Sequence, residues 1–146
     1  MIRILLVFCL ALTSFGADIQ RLNPKTLPQP ARYSHVVIAK GERTIYISGQ
    51  VALDAEGKLV GKGDLAAQTE QVFQNLESAL AAANANFSDV VKITIFVRNL
   101  KPESIAVIRE VRNRHIGNTH PASSAVGVQA LFGEDFLIEI EAIAVK

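Results

Sequence analysis

Five stretches of this chain carry the short β-branched or alternating pattern of strands, and two carry apolar residues at helical spacing. Residues 35–39 and 44–48 are strand-like runs with Gly41-Glu42 turning between them. Asp64 is placed to cap a helix in which Leu65, Thr69, Val72, Phe73, Leu76, Leu80 and Ala83 share one face, and residues 84–86 stop it. Residues 90–98 (VVKITIFVR) form the next strand. Lys101-Pro102 opens a second helix, with proline at the tolerated first position. Its apolar stripe runs through Ile105, Ile108 and either Val111 or Arg112, and Gly117-Asn118 ends it. Residues 123–131 and 136–145 close the chain as strands. In the first, Ser124, Val126, Val128 and Ala130 make the apolar side, with Ser123, Ala125, Gly127 and Gln129 opposite. In the second, Phe136, Ile138, Ile140, Ala142 and Ala144 make one wholly apolar side, while the other mixes Glu139 and Glu141 with Ile143 and Val145. Such a mixture suits a subunit contact or a cleft wall better than a plain solvent face.

The order strand, strand, helix, strand, helix, strand, strand predicts an α+β fold, with one mixed sheet and both helices on one of its faces. Residues 17–33 contain Pro24, Pro28 and Pro30 and little periodicity, and are expected to form an irregular N-terminal arm. The domain proper is expected over residues 34–146, with no internal repeat and no second domain.

Residues 1–16 follow another plan. Arg3 precedes an uncharged apolar run over residues 4–12 (ILLVFCLAL), and Ser14 and Gly16 stand at the −3 and −1 positions of a cleavage site after Gly16. This predicts a cleavable signal peptide and a periplasmic or secreted protein, cytoplasmic if the leader is retained. A hydrophobic first strand or an interfacial anchor is the competing reading. The run is shorter than the roughly 20 residues that span a bilayer, so no membrane association is expected once the leader is removed. Cys9 is the only cysteine and lies in this leader. A mature domain without thiols has no disulfide, iron–sulfur cluster or cysteine nucleophile.

Composition adds limits. A chain of 146 residues that is 49% hydrophobic and 20% charged suits one globular core. The formal net charge is +1, and it falls to 0 when Arg3 leaves with the leader. Arg109, Arg112 and Arg114, with Glu110 among them, read as a solvated helix face, and no nucleic-acid partner is expected. His35, His115 and His120 lack metal-ligand spacing and an accompanying acidic cluster, so no metal is expected. His120 adjoins the strand from residue 123 and keeps a weak auxiliary acid–base reading. There is no glycine-rich phosphate loop and no serine-nucleophile elbow.

Several segments jointly resemble the RidA family, also called YjgF or L-PSP, of enamine and imine deaminases. They are Tyr33-Ser34, Ile47-Ser48-Gly49-Gln50, Asp89-Val90-Val91-Lys92 followed by Phe96-Val97, Pro121-Ala122, and the run IEIEAIAV over residues 138–145. They stand in the family's order and approximate spacing from about residue 33 to the end. The resemblance implies a chorismate-mutase-like fold and a homotrimer with three clefts between subunits. It implies hydrolysis of 2-imino or 2-enamino acids to 2-keto acids and ammonia, with no cofactor and no metal. By position, Glu139 matches the glutamate near the attacking water and Tyr33 the tyrosine lining the cleft, the two catalytic candidates, and Ser48 matches the substrate-binding serine at its floor. The family pattern Pro-Ala-Arg-Ser or Pro-Ala-Arg-Thr reads Pro121-Ala122-Ser123-Ser124 here, so Ser123 stands in the substrate-binding place of the family's arginine. Gly127 replaces a commonly acidic position in the same strand.

A serine hydroxyl cannot neutralise a carboxylate. Losing a charge-assisted bidentate contact costs about 1.5–3 kcal/mol or more. The expected function is therefore a deaminase-like hydrolase acting on a small-molecule imine or enamine that has no carboxylate, or has one held differently. The alternative is a non-catalytic trimer whose clefts hold a small neutral or cationic ligand. On residue type alone Glu139 is equally an interface carboxylate, and Tyr33 a ring that caps a strand. A ribonuclease reading, attached to some family members, fits the near-neutral charge least. Export points the same way as Ser123, because the usual imine substrates arise in the cytosol.

Overall fold

The computed structural model describes residues 17–27 and 29–146; residues 1–16, on which the predicted leader and its cleavage site fall, lie outside the described residues. The chain forms β1 (Asp18–Leu22), β2 (Val36–Lys40), β3 (Thr44–Gln50), α1 (Leu65–Ala82), β4 (Val90–Arg98), α2 (Pro102–Ile116), β5 (Ala122–Val128) and β6 (Ile138–Val145). Strands β3, β6, β4 and β5 lie in that order in a mixed sheet, with β4 and β5 parallel and β6 antiparallel to both of its neighbours. This is the α+β arrangement that the pattern predicts.

Two features of the N-terminal region differ from expectation. The arm is not irregular throughout: β1 pairs antiparallel with β2, from Asp18 opposite Lys40 to Leu22 opposite Val36. Its mixed polar sequence carries little strand signal by itself, and the prolines that suggest irregularity begin only at Pro24. Strand β2, in turn, pairs with β1 and stands outside the four-stranded sheet. The arm is tied to that sheet at Ser34, whose Oγ donates to the His120 carbonyl at 2.7 Å and which bridges to Ala122 in parallel.

The core lies between one sheet face and both helices. Val72, Phe73, Leu76 and Leu80 of α1, and Ile108, Val111 and Ile116 of α2, are buried with Ile93, Ile95 and Val97 of β4 and Ile138, Ile140, Ala142 and Ala144 of β6. A fully buried side chain such as Phe73 contributes about 1.5–3 kcal/mol. Asp64 caps α1, its Oδ1 accepting from the Ala66 and Ala67 amides at 2.9 and 3.0 Å. Asn84 ends the helix with a φ of 54°, a left-handed conformation that asparagine tolerates.

Gln68 is a polar residue in this core and, like Thr69 beside it, has no exposed surface. Its Nε2 donates to the carbonyls of Gly61 and Asp135 at 3.1 and 2.9 Å, and its Oε1 accepts from the Leu137 amide at 2.8 Å. One side chain thus joins α1 to the loop before it and to the start of β6.

The sheet's other face is left uncovered by the chain itself. Register places Tyr46 opposite Ile143, Thr94 opposite Glu141, and Phe96 opposite both Glu139 and Val126. Tyr46 is 78% exposed there and Val126 41%. The even-numbered side of β5, expected from its residues to be the apolar one, therefore looks onto the open face. The odd-numbered residues Ser123 and Ala125 lie beside α2 instead.

Candidate functional site

The residues singled out in the sequence fall into two groups. Tyr33 and Ser123 line a cavity of about 290 Å³ between α2 and the β4–β5 edge, with Ile95, Ile105 and Ile108 as apolar wall. Arg109 and Arg112 of α2 complete it. Tyr33 also meets the His35 ring edge-on at 5.3 Å.

Glu139 and Ser48 belong elsewhere, on the adjacent strands β6 and β3. The ladder between these strands shifts register between Ile47 and Gln50, so Ser48 and Gly49 sit in an irregular step of the sheet. The Glu139 side chain lies directly against Gly49: a Cβ built there would stand 1.9 Å from Oε1. Glycine here leaves open the space that the carboxylate fills, and a larger residue would displace it. Ser48 lies in a shallow groove with Tyr46, Glu141 and Ile143.

Within the chain these groups stay apart. Ser123 pairs with Ile93, whose side chain enters the helix-side core, whereas Glu139 pairs with Phe96, one of the alternate positions of β4. Their side chains therefore leave the sheet on opposite faces.

Arg112 overturns the reading of the α2 arginines as one solvated face. Its residue is only 8% exposed, and it donates to the Arg32 carbonyl. Burial, then the nearby charges of Arg109 and Arg32, push its pKa below the ordinary arginine value. Its place in the sequence gave the signal, since it follows Ile108 by four residues on the buried stripe; grouping three arginines by composition obscured it. Arg114 does face outward, pairing with Glu70 at 2.9 Å and Glu110 at 3.4 Å. Glu70 also meets His115 Nε2 at 2.7 Å, and that imidazole stacks on Phe73 with ring centroids 5.3 Å apart. His120 contributes its carbonyl to the tie with Ser34. Among the described residues, no group of three or more His, Cys, Asp or Glu side chains is arranged to hold a metal ion.

Comparison with known proteins bears on the whole domain. The family model described as endoribonuclease L-PSP matches residues 24–146. A RutC family protein of Pyrococcus horikoshii is 37% identical over 120 residues, spanning 82% of this chain and 91% of its own. The chain belongs to the RidA (YjgF, L-PSP) family. A solved structure of a Rid-family protein of unknown function from Yersinia pestis matches this RidA-family fold with a TM-score of 0.82 at 41% identity, covering 88% of this chain and 98% of that one. The 2-iminobutanoate/2-iminopropanoate deaminase of Dermatophagoides farinae is 34% identical over 119 residues, 81% of this chain and 89% of its own. Imine deamination is thus an activity found among relatives of this RidA-family chain.

Proposed function

We propose that this chain is a hydrolase of C=N bonds that converts a small imine or enamine to a carbonyl compound and ammonia, in a cleft completed by a second copy of itself. The observation that carries the reading is the Glu139 carboxylate seated against Gly49, at the register shift beside Ser48. A carboxylate in such a place can take a proton from water as it adds to the C=N carbon. The nitrogen then accepts a proton, the C–N bond breaks as C=O forms, and ammonia departs. Polar groups near the nitrogen steady the charge that moves during addition.

The separation of Tyr33 and Ser123 from Glu139 and Ser48 supports the composite cleft, since two copies can bring opposite sheet faces together. The uncovered face bearing Tyr46 and Val126 supports the same assembly, a homotrimer with three equivalent clefts. With Ser123 at the place of the family's arginine, the substrate preference differs from that of the named deaminases. The leader adds the proposal that the reaction takes place in the periplasm or outside the cell.

Pure protein mixed with freshly generated 2-iminobutanoate, and separately with an imine that bears no carboxylate, tests the reading. Acceleration over spontaneous hydrolysis is expected on at least one of them. Glu139→Gln is expected to lower it by about 10²-fold or more. Turnover of 2-iminobutanoate at the rate of the named deaminases would defeat the altered preference. No acceleration on either compound would leave a binding protein instead.

A further inference from the structure

The cavity between α2 and β5 holds more positive charge than the fold requires. Arg112 is nine-tenths buried, its Nε is buried with no hydrogen-bond partner, and its terminal nitrogen meets only the neutral carbonyl of Arg32. Arg109 lines the same cavity from one turn earlier on α2, and Arg32 adds a third charge nearby. Among the described residues, every ion pair uses other cations: Lys62, Arg114, His115 and Lys146. A guanidinium taken out of water beside two others, with no carboxylate to meet it, is an arrangement that an anion relieves. Desolvation and repulsion both hold the Arg112 pKa down, which agrees with a missing counter-charge.

The rest of the lining narrows the chemistry. Ile95, Ile105, Ile108 and Ala125 form an apolar wall beside the arginines, and Ser123 and Tyr33 bring hydroxyls to the same space. At about 290 Å³ the cavity suits a small molecule with one charged end and one short apolar end. An arginine at position 123 would project into this volume and repel Arg112, whereas serine leaves it open. We infer that Arg112 and Arg109 of α2 bind the carboxylate of a small organic acid in this cavity, with its short apolar chain against the isoleucine wall. The inference rests on the cleft proposed above and names the residues that would position its ligand, whose carboxylate is anchored from the helix and not from the strand.

Calorimetric titration of the full-length protein with 2-oxobutanoate, and with uncharged butanamide of similar size, tests this. Saturable binding of 2-oxobutanoate is expected, at least about tenfold tighter than that of butanamide. Arg112→Met is expected to erase that preference and Arg109→Met to reduce it severalfold. Arg112 also holds the Arg32 carbonyl, so its variant can fail to fold; Arg109 is at the exposed rim and Arg109→Met then decides. Equal affinity for both compounds in the wild type, or a preference that survives in each folded variant, would overturn the inference. The readout is binding and not turnover, so a failure of the proposed reaction does not register in it.

Discussion

Gly49→Ala separates a site role for Glu139 from a merely structural one. The new methyl carbon would lie 1.9 Å from Glu139 Oε1 and 2.7 Å from Cδ, less than an ordinary carbon contact of about 3.5–4.0 Å. The obstacle is the free end of a flexible side chain, so Glu139 swings aside and the backbone stays. Leaving a good rotamer costs about 0.5–1.5 kcal/mol. Against this, alanine narrows the unfolded ensemble and returns about 0.4–1 kcal/mol, and Gly49 has no positive φ to forbid it. The two effects nearly cancel, leaving a change in stability below about 1 kcal/mol, or less than about 5 °C in Tm. Displacing a water-positioning carboxylate, by contrast, removes up to about 10²–10⁴-fold in rate. The expected result is therefore a Tm close to that of the wild type with imine hydrolysis down at least tenfold. Hydrolysis is followed by ammonia release above the spontaneous rate, and Tm by scanning calorimetry. If Gly49→Ala keeps full activity while Glu139→Gln is inactive, the carboxylate does not work from its seat on Gly49 and the geometry argued here is wrong.

Other consequences are open to simple measurement. Gln68→Leu strands the Gly61 and Asp135 carbonyls and the Leu137 amide, and is expected to destabilise the protein by about 2–4 kcal/mol in urea unfolding; a loss below 1 kcal/mol would mean that these groups find other partners. The Glu70 carboxyl is held below its ordinary value of 4.5, first by the Arg114 hydrogen bond and also by His115. Because its folded pKa is depressed, its contribution is full above pH 4.5 and fades as pH falls through the folded value. The Tm gap between wild type and Glu70→Gln should accordingly be open at pH 7 and close toward pH 3, whereas a gap that does not change with pH would refute the assignment. N-terminal sequencing of the native protein is expected to begin at Ala17, and an intact Met1 would defeat export.

The sequence by itself determined the parts that depend on neighbours in the chain. Helical spacing from Leu65 to Leu80 marked α1, Asp64 and Asn84 marked its ends, and the alternation in IEIEAIAV marked the buried and open sides of β6, because side-chain direction in a helix or strand follows from local geometry. Joint motifs identified the family and brought Tyr33, Ser48, Ser123 and Glu139 into consideration. Tertiary structure decided what those residues face. Pairing with β2 made a strand of Asp18–Leu22, whose own residues carry little strand preference. The fold turned the less apolar side of β5, with Ser123 and Ala125, toward the cavity beside α2, since alternation separates two faces but does not say which one a helix will share. Tertiary structure also buried Arg112, against the Arg32 carbonyl, within a group of arginines that looked solvated from composition alone. Burial is a property of the neighbours a fold brings from far along the chain, and here it turned an ordinary helix residue into the buried charge of a cavity.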